Sequence, residues 1–200
     1  MRPPLPQYAQ LEICHQDRIA LLKYNRPSSG NSLHPKFLRD VVTAMQWIEG
    51  ESRIRVVVVT REGRFFCTGM ELLDGGGMSF GIGSDFHELN RIFILSKKIL
   101  IAAVNGAAAG YGTSSLALFD IVYAVPDAYF FTPFVNVSFP KIMGHQRAAS
   151  LFLAGDRITV QEARDVGLVS KVLPKKDFPP EVMEIARRIA DSPPALLCAN

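Results

Sequence analysis

The chain has 200 residues, of which 48% are hydrophobic and 20% are charged, and its formal net charge is +3. This composition excludes a disordered chain, and basic runs no longer than two residues exclude an extended nucleic-acid-binding surface. The three scattered cysteines favour a reducing compartment over a disulfide framework, and there is no Cys/His cluster that would indicate a metal site.

The first half of the chain predicts strands and one long helix. Strands are predicted at residues 8–14 and 18–24 around a turn at 15–17, and a loop follows at 25–31. A stripe of apolar residues predicts a helix from Pro35 to Gly50, with Ser32 as its cap. The run of four valines at 56–59 predicts a strand, at 53–60, that is buried on both faces.

The second half predicts a regular alternation of strands and helices. A glycine-rich stretch at 74–83 predicts a mobile loop, and a helix is expected at 85–98. A second buried strand at 99–104 leads into a glycine turn at 105–112 and a helix at 113–119. The remaining predicted strands are at 121–125, 129–131 and 168–173. Helices are predicted at 144–154 and 180–191, and a further short helix opens at the Thr159-x-x-Glu162 capping box and stops at Gly167. This alternation is typical of an α/β fold.

One uncharged stretch, residues 99–119, is long enough to cross a membrane. Asn105, several glycines and three hydroxyl residues at 113–115 make it too polar for that role. A strand, a glycine turn and a short helix explain it better, so no membrane span is predicted. The N-terminus lacks the apolar core of a signal peptide, and the C-terminal Leu-Cys-Ala-Asn matches no targeting tripeptide.

Two glycine turns are the candidate site. The first, at residues 67–71, reads Cys-Thr-Gly-Met-Glu, and the second lies at 105–112. Each follows a buried strand, and each is expected to precede a helix, whose first N–H groups are unpaired and carry partial positive charge. Two such ends that face each other could hold a developing oxyanion. The alternative is that the glycines only permit tight turns.

Other kinds of site fit the sequence less well. The second turn has the pattern G-x-x-x-G-x-G and no Walker lysine follows it, which argues against a nucleotide-binding loop. No G-x-S-x-G elbow is present, so Ser114 and Ser115 are assigned to helix capping rather than to nucleophilic catalysis. Among the isolated histidines, only His87 has acidic neighbours, Asp85 and Glu88.

Six motifs, in order along the chain, resemble the enoyl-CoA hydratase/isomerase (crotonase) superfamily. They are Asn-Arg-Pro at 25–27, Phe-Cys-Thr-Gly-Met-Glu-Leu at 66–72, Ile-Ala-Ala-Val-Asn-Gly at 101–106 leading into 118–124, Thr-Pro-Phe at 132–134, Phe-Pro-Lys-Ile-Met-Gly at 139–144 and Ala-x-x-x-Gly-Leu-Val at 163–169. The chain most resembles the peroxisomal Δ3,Δ2-enoyl-CoA isomerases and their fungal relatives, some of which serve toxin or polyketide pathways.

The resemblance implies a crotonase-like α/β core over residues 8–173, a sheet wrapped by helices, with the start of a curtailed C-terminal helical region at 174–200. It implies isomerase or hydratase chemistry on a fatty or polyketide acyl-CoA thioester, with no cofactor beyond the CoA of the substrate. The backbone N–H groups of Met70 and Tyr111 would donate to the thioester oxygen. The implied substrate-binding residues are Cys67, Thr68, Gly69, Met70, Glu71 and Gly110.

The family relationship also implies an assembly and a location. Family members form homotrimers with the help of the C-terminal helices, so a weakened or altered trimer is expected, with apolar surface exposed near residues 193–197. The peroxisomal subgroup implies a peroxisomal location, and the cytoplasm is the alternative.

Two departures from the family concern its catalytic glutamates. Hydratases carry a glutamate two residues after the last glycine of the second turn, where this chain has Ser114. Isomerases keep one in a Leu-x-Pro-Glu-Gly segment, but here Val137 runs directly into Ser138 and that segment is missing. Low turnover with retained binding is therefore expected, and the rival interpretations are a non-catalytic acyl-CoA-binding homologue and a deletion or splice variant. The remaining carboxylates near the turns are Glu71, Asp74, Asp85 and Glu88.

Overall fold

The computed structural model describes residues 7–14, 16–71, 79–132 and 138–193. The strands are β1 (Ala9–Cys14), β2 (Ile19–Tyr24), β3 (Val56–Arg61), β4 (Phe65–Cys67), β5 (Ile99–Val104), β6 (Ala107–Ala109), β7 (Ile121–Ala124), β8 (Tyr129–Phe131), β9 (Ile158–Thr159) and β10 (Lys171–Val172). The helices are α1 (Pro35–Gly50), α2 (Asp85–Leu95), α3 (Tyr111–Ser114), α4 (Ser138–Met143), α5 (His145–Ala149), α6 (Val160–Asp165) and α7 (Phe178–Asp191). The fold is α/β, as the sequence predicts.

The larger sheet forms the core, with the strand order β1-β2-β3-β5-β7-β10. The β1 and β2 strands are antiparallel, and the other neighbouring pairs are parallel. Within β3, Val56 pairs with Ile19 on one side and with Ile99 on the other. The valine run is buried, as expected for a central parallel strand whose two faces are both covered.

A second, smaller sheet has the order β4-β6-β8-β9, and it positions the candidate site. The β4 strand runs parallel to β6, with Cys67 opposite Ala108, and β6 runs parallel to β8. The first glycine turn therefore begins at the end of β4, and the predicted second turn, residues 105–112, contains the adjacent parallel strand β6, so that Gly110 follows its end. The sequence analysis missed β4 and β6, because three residues are too few to show a period-2 pattern.

The two predicted helix caps have different outcomes. The Thr159 capping box is confirmed: the Thr159 hydroxyl accepts a hydrogen bond from the Glu162 N–H, and the Glu162 carboxylate accepts one from the Thr159 N–H. The predicted Ser32 cap of α1 is wrong. The α1 helix is capped by His34, whose Nδ1 accepts from the Lys36 N–H at 3.2 Å, while Ser32 is buried and points elsewhere.

Several elements of the second half differ from their predicted bounds. The α2 helix ends at Leu95, three residues early, and the next residue, Ser96, leaves the helical conformation with a ψ of 136° and donates to the Glu49 carboxylate. The α3 helix begins at Tyr111 and continues as a 3-10 segment. The predicted helix at 144–154 divides into α5 and a π-helical segment, α4 was not predicted, and the last predicted strand is reduced to β10.

In the described part of the chain, no helix has both the length and the apolar character needed to cross a membrane. Residues 99–119 contain β5, β6, α3 and the 3-10 segment. The predicted strand and helix are confirmed, but the predicted turn between them also contains the unpredicted strand β6. Half of the glycine-rich loop, residues 74–78, falls outside the described residues, as does most of the segment at 193–197 in which exposed apolar surface was expected.

Candidate functional site

The two glycine turns pack directly against each other. A Cβ atom on Gly69 would lie 3.1 Å from the Ala109 carbonyl oxygen, 3.1 Å from the Gly110 Cα and 3.2 Å from the Tyr111 nitrogen. From the other side, a Cβ on Gly110 would lie 3.2 Å from the Gly69 Cα. Both glycines also have positive φ, 87° and 53°. Glycine is therefore required here by a close backbone contact as well as by turn conformation.

This contact brings two backbone N–H donors close together. Met70 bridges Leu33 in a parallel pairing, in which the Leu33 N–H donates to the Gly69 oxygen and the Glu71 N–H to the Leu33 oxygen. Such pairing turns the N–H of Met70 itself away from Leu33. Tyr111 is the first residue of α3, so its N–H has no intrahelical acceptor. Neither N–H has an acceptor among the described residues, so both can serve an added oxygen.

Cys67 lies beneath this contact and is buried, with 1% of its surface exposed. Burial raises the pKa of its thiol to about 12, and the thiol sulfur accepts a hydrogen bond from the Gly69 N–H at 3.4 Å. The side chain therefore stays a neutral thiol at physiological pH and is a poor nucleophile. The Cys67 side chain therefore supports the turn from inside, through its hydrogen bond from Gly69.

A stability prediction follows from the tight packing of Cys67 against Gly112. A Cβ on Gly112 would clash with the Cys67 carbonyl oxygen and lie 2.8 Å from the Cys67 Cβ. Gly112→Ala should therefore lower the free energy of unfolding by about 3 kcal/mol. Gly50→Ala is the control, since nothing lies within 4 Å of a Cβ there. Urea denaturation measures both, and equal stability of the two variants would contradict the packing.

The first turn is anchored on the loop that carries the Asn-Arg-Pro motif. The Thr68 N–H donates to the Gly30 oxygen at 3.1 Å, and the Thr68 methyl group fills the space in front of Gly30. The buried Asn31 side chain donates to the Phe65 oxygen at 2.7 Å and accepts from the Arg26 N–H at 2.7 Å. These bonds fix the turn that bears Met70.

Glu71 is held by the same loop. Its carboxylate accepts from Arg26 at 2.8 Å and from the Ser32 hydroxyl at 3.3 Å. The hydrogen bond from Arg26 is the largest cause that holds the pKa of Glu71 below its ordinary value. Glu71 is therefore ionised, but its basicity is reduced, which makes it a weak general base.

The Glu71–Arg26 pair predicts a pH-dependent stability. Because the folded pKa of Glu71 lies below its ordinary value of 4.5, the pair stabilises the fold fully above that pH. The contribution is lost as the pH falls through the lowered, folded pKa. Glu71→Gln should therefore cost about 1 kcal/mol at pH 7 and much less at pH 3, measured by urea denaturation. Glu12→Gln, which removes an exposed partner of Lys23, is the control with little effect.

The Tyr111 side chain ties the second turn to α2. Its hydroxyl donates to the Asn90 Oδ1 at 3.3 Å, and its ring lies 5.0 Å from that of Phe86, which lies 5.1 Å from the Phe80 ring. Burial raises the pKa of the Tyr111 phenol, so it stays protonated. Sequence reasoning missed Asn90, whose polar side chain gave no signal; Phe86 did lie on the predicted apolar side of α2.

Most of the other candidate acids and bases are already engaged. Asp85 accepts from Arg39 at 3.3 Å, and Glu88 accepts from Arg91 at 2.8 Å, an interaction that lowers the pKa of Glu88 to about 2. Ser114 is buried, and its hydroxyl donates to the Tyr111 oxygen at 3.4 Å. For His87 it is the backbone N–H, not the imidazole, that donates to the Ser84 hydroxyl in the cap of α2. Asp74 and Val137 lie outside the described residues, and no cluster of potential metal ligands is found within the described ranges.

Comparison with known proteins identifies the family. Residues 15–199 match the sequence model of the Enoyl-CoA hydratase/isomerase family. The chain belongs to this family. The relationship that the six motifs indicate is thereby confirmed. The candidate site described above is therefore that of an enoyl-CoA hydratase/isomerase family member.

Individual relatives agree with this assignment. The human (Homo sapiens) Chromodomain Y-like protein is 32% identical over 210 residues, which cover 96% of this chain and 35% of that protein. The peroxisomal Enoyl-CoA delta isomerase 3 of Mus musculus is 32% identical over 187 residues, which cover 85% of this chain and 59% of that protein. This family member thus spans about a third to three-fifths of these two curated relatives.

Solved structures show the same fold. The crystal structure of an enoyl-CoA hydratase/isomerase from Pseudoalteromonas atlantica T6c superposes with a TM-score of 0.87 at 25% identity. The match covers 96% of this chain and 80% of that chain. The α/β, crotonase-like fold expected of the family member is therefore confirmed.

Proposed function

We propose that the chain binds a fatty or polyketide acyl-CoA thioester and stabilises its enolate through the N–H groups of Met70 and Tyr111. Removal of a proton next to the thioester places negative charge on the carbonyl oxygen, and an acyl-CoA isomerase or hydratase must stabilise that charge. The observation that carries the proposal is the contact of Gly69 with Gly110, which brings two unpaired donors together. Backbone donors fixed in advance need no rearrangement during the reaction.

The backbone rather than the side chains would contact the substrate at the first turn. The Cys67 thiol is buried, and the Glu71 carboxylate is bound to Arg26. The surface that would contact the thioester is therefore the backbone of Thr68, Gly69 and Met70, together with that of Gly110 from the second turn. No cofactor beyond the CoA of the substrate is proposed, since enolate stabilisation by two N–H donors requires none.

A pair of CoA analogues tests the role of the two donors. A ketone analogue, in which CH2 replaces the thioester sulfur, keeps the carbonyl oxygen, whereas an S-alkyl CoA thioether lacks it. Two hydrogen bonds to the carbonyl should make the ketone bind at least ~10-fold more tightly in titration calorimetry. Free CoA serves as the control ligand. Equal affinities for the ketone and the thioether would rule out the proposed oxyanion hole.

A second candidate function is a catalytically impaired acyl-CoA-binding homologue. It is favoured by Ser114 at the hydratase glutamate position and by the arginine partners of Glu71, Asp85 and Glu88. A carboxylate whose charge is stabilised by arginine accepts a proton from carbon less readily. We therefore propose retained binding with turnover below that of the family. We also propose a peroxisomal location, which the name of the mouse isomerase supports, with the cytoplasm as the alternative.

A further inference from the structure

Thr113 is a fully buried polar residue of α3, directly after the second glycine turn. Its hydroxyl donates to the Ala108 oxygen at 2.8 Å and accepts from the Phe131 N–H at 3.2 Å. Both partners lie in the smaller sheet, Ala108 in β6 and Phe131 in β8. A hydroxyl whose proton and lone pair are both used is fixed in orientation. One buried group therefore joins the start of α3 to two strands.

The bond from Thr113 to Ala108 closes the chain around the second turn into a ring. Inside this ring, the Gly110 oxygen accepts from the Thr113 N–H at 3.0 Å and from the Ser114 N–H at 2.9 Å. At the entrance to the ring, the Gly110 N–H donates to the Phe131 oxygen at 2.8 Å. The peptide group that follows Gly110 is therefore held from the strands on one side and from the helix on the other.

These bonds determine the direction of the Tyr111 N–H. The peptide group between Gly110 and Tyr111 is trans and planar, so its C=O and N–H point in opposite directions. Its oxygen points into α3, where it accepts the two helical N–H groups, and its N–H therefore points out of the start of the helix. The first glycine turn lies close by, since a Cβ on Gly69 would be 3.2 Å from the Tyr111 nitrogen.

The hydroxyl of Thr113 adds something that the sheet does not supply. The β6 and β8 strands already pair in register, with Ala109 opposite Phe131, so the two strands are joined without it. Valine has nearly the shape of threonine and would fill the same space at a lower cost of burial. What the hydroxyl contributes is the connection from the paired strands to α3, across the turn that carries the Tyr111 N–H.

We propose that Thr113 is a positioning residue: its hydroxyl holds the Gly110–Tyr111 peptide group so that the Tyr111 N–H shares an acceptor with the Met70 N–H. This role rests on the proposed function of those two N–H groups. Thr113 itself is too deeply buried to touch a substrate, with 0% of its surface exposed. Donors that stabilise a developing charge must be held within ~0.5 Å of the required position, and Thr113 supplies that restraint from inside the protein.

Three variants separate the hydroxyl from the rest of the side chain. Thr113→Val removes both hydrogen bonds and should reduce the preference for the ketone analogue over the thioether ~5-fold, with the thioether affinity unchanged. Thr113→Ser keeps the hydroxyl and should keep the preference. Thr60→Val is the matched control, because it removes a hydroxyl-to-backbone bond of 3.1 Å to the Ala103 oxygen in the larger sheet. It should change neither affinity in titration calorimetry.

The position of the Tyr111 nitrogen is a second measurement that does not depend on a ligand. In a crystal structure of Thr113→Val, it should be displaced from the Met70 nitrogen by ~0.5 Å or more, and in Thr113→Ser it should stay in place. If Thr113→Val does not fold, Thr113→Cys, whose thiol is a weak donor, takes its place with the same expected results.

The unmodified chain separates the two possible failures. If it shows no preference for the ketone, the proposed function fails and the role of Thr113 fails with it. If it shows the preference and a folded Thr113→Val variant keeps it, the proposed function stands and only the role of Thr113 is overturned. A lost preference with the Tyr111 nitrogen in its original position would also overturn that role.

Discussion

Gly69→Ala is expected to reduce enoyl-CoA turnover by ~100-fold or more and to remove the preference for the ketone analogue over the thioether. The added methyl group would sit 3.1 Å from the Gly110 Cα and 3.2 Å from the Tyr111 nitrogen, so the two turns must separate. Separation moves the Met70 and Tyr111 N–H groups away from a shared oxygen. Turnover of an enoyl-CoA substrate and calorimetry with both analogues measure the effect.

Gly83→Ala is the matched control for this variant. Gly83 has the same φ of 87° as Gly69, but nothing lies within 4 Å of the position of its Cβ. Both variants therefore suffer the same backbone strain, and only Gly69→Ala also suffers the clash. If both variants bind the ketone and turn over substrate equally well, the close contact of the turns has no part in the function.

The sequence could predict elements that are long and strongly patterned. The buried strands β3 and β5 contain continuous apolar runs of four or more residues, and the helix α1 has an apolar stripe over 16 residues. All three are found within three residues of their expected bounds. The short strands β4 and β6 have no such period, and they form only because they pair with each other and with β8. The two glycine turns were predicted, whereas their mutual contact depends on that second sheet.

The site also depends on partners that are distant in sequence. Ser32 precedes α1 and has the right chemistry for a cap, but its hydroxyl donates to Glu71, which lies 39 residues away. The orientation of Glu71 could not be predicted because Arg26, which fixes it, lies 45 residues away.

Insertion of a Pro-Glu-Gly-bearing segment between Val137 and Ser138 is expected to raise enoyl-CoA isomerase turnover by ~10²- to 10⁴-fold, the usual contribution of a general base. The isomerases that this family member resembles carry their catalytic glutamate in that segment. The carboxylate of Glu71 is bound to Arg26, and Ser114 cannot accept a proton near neutral pH. Turnover of a 3-enoyl-CoA, compared with that of the unmodified chain, measures the gain.

The same insertion with glutamine in place of its glutamate is the control, and it should show no gain. The opposite outcome is brisk turnover by the unmodified chain that Glu71→Gln abolishes. That loss alone would be ambiguous, because Glu71 also anchors the first turn through Arg26. Arg26→Gln breaks the same ion pair but keeps the carboxylate and raises its basicity. Activity that survives Arg26→Gln and disappears in Glu71→Gln would therefore identify Glu71 as the base and overturn the prediction that an inserted glutamate is needed.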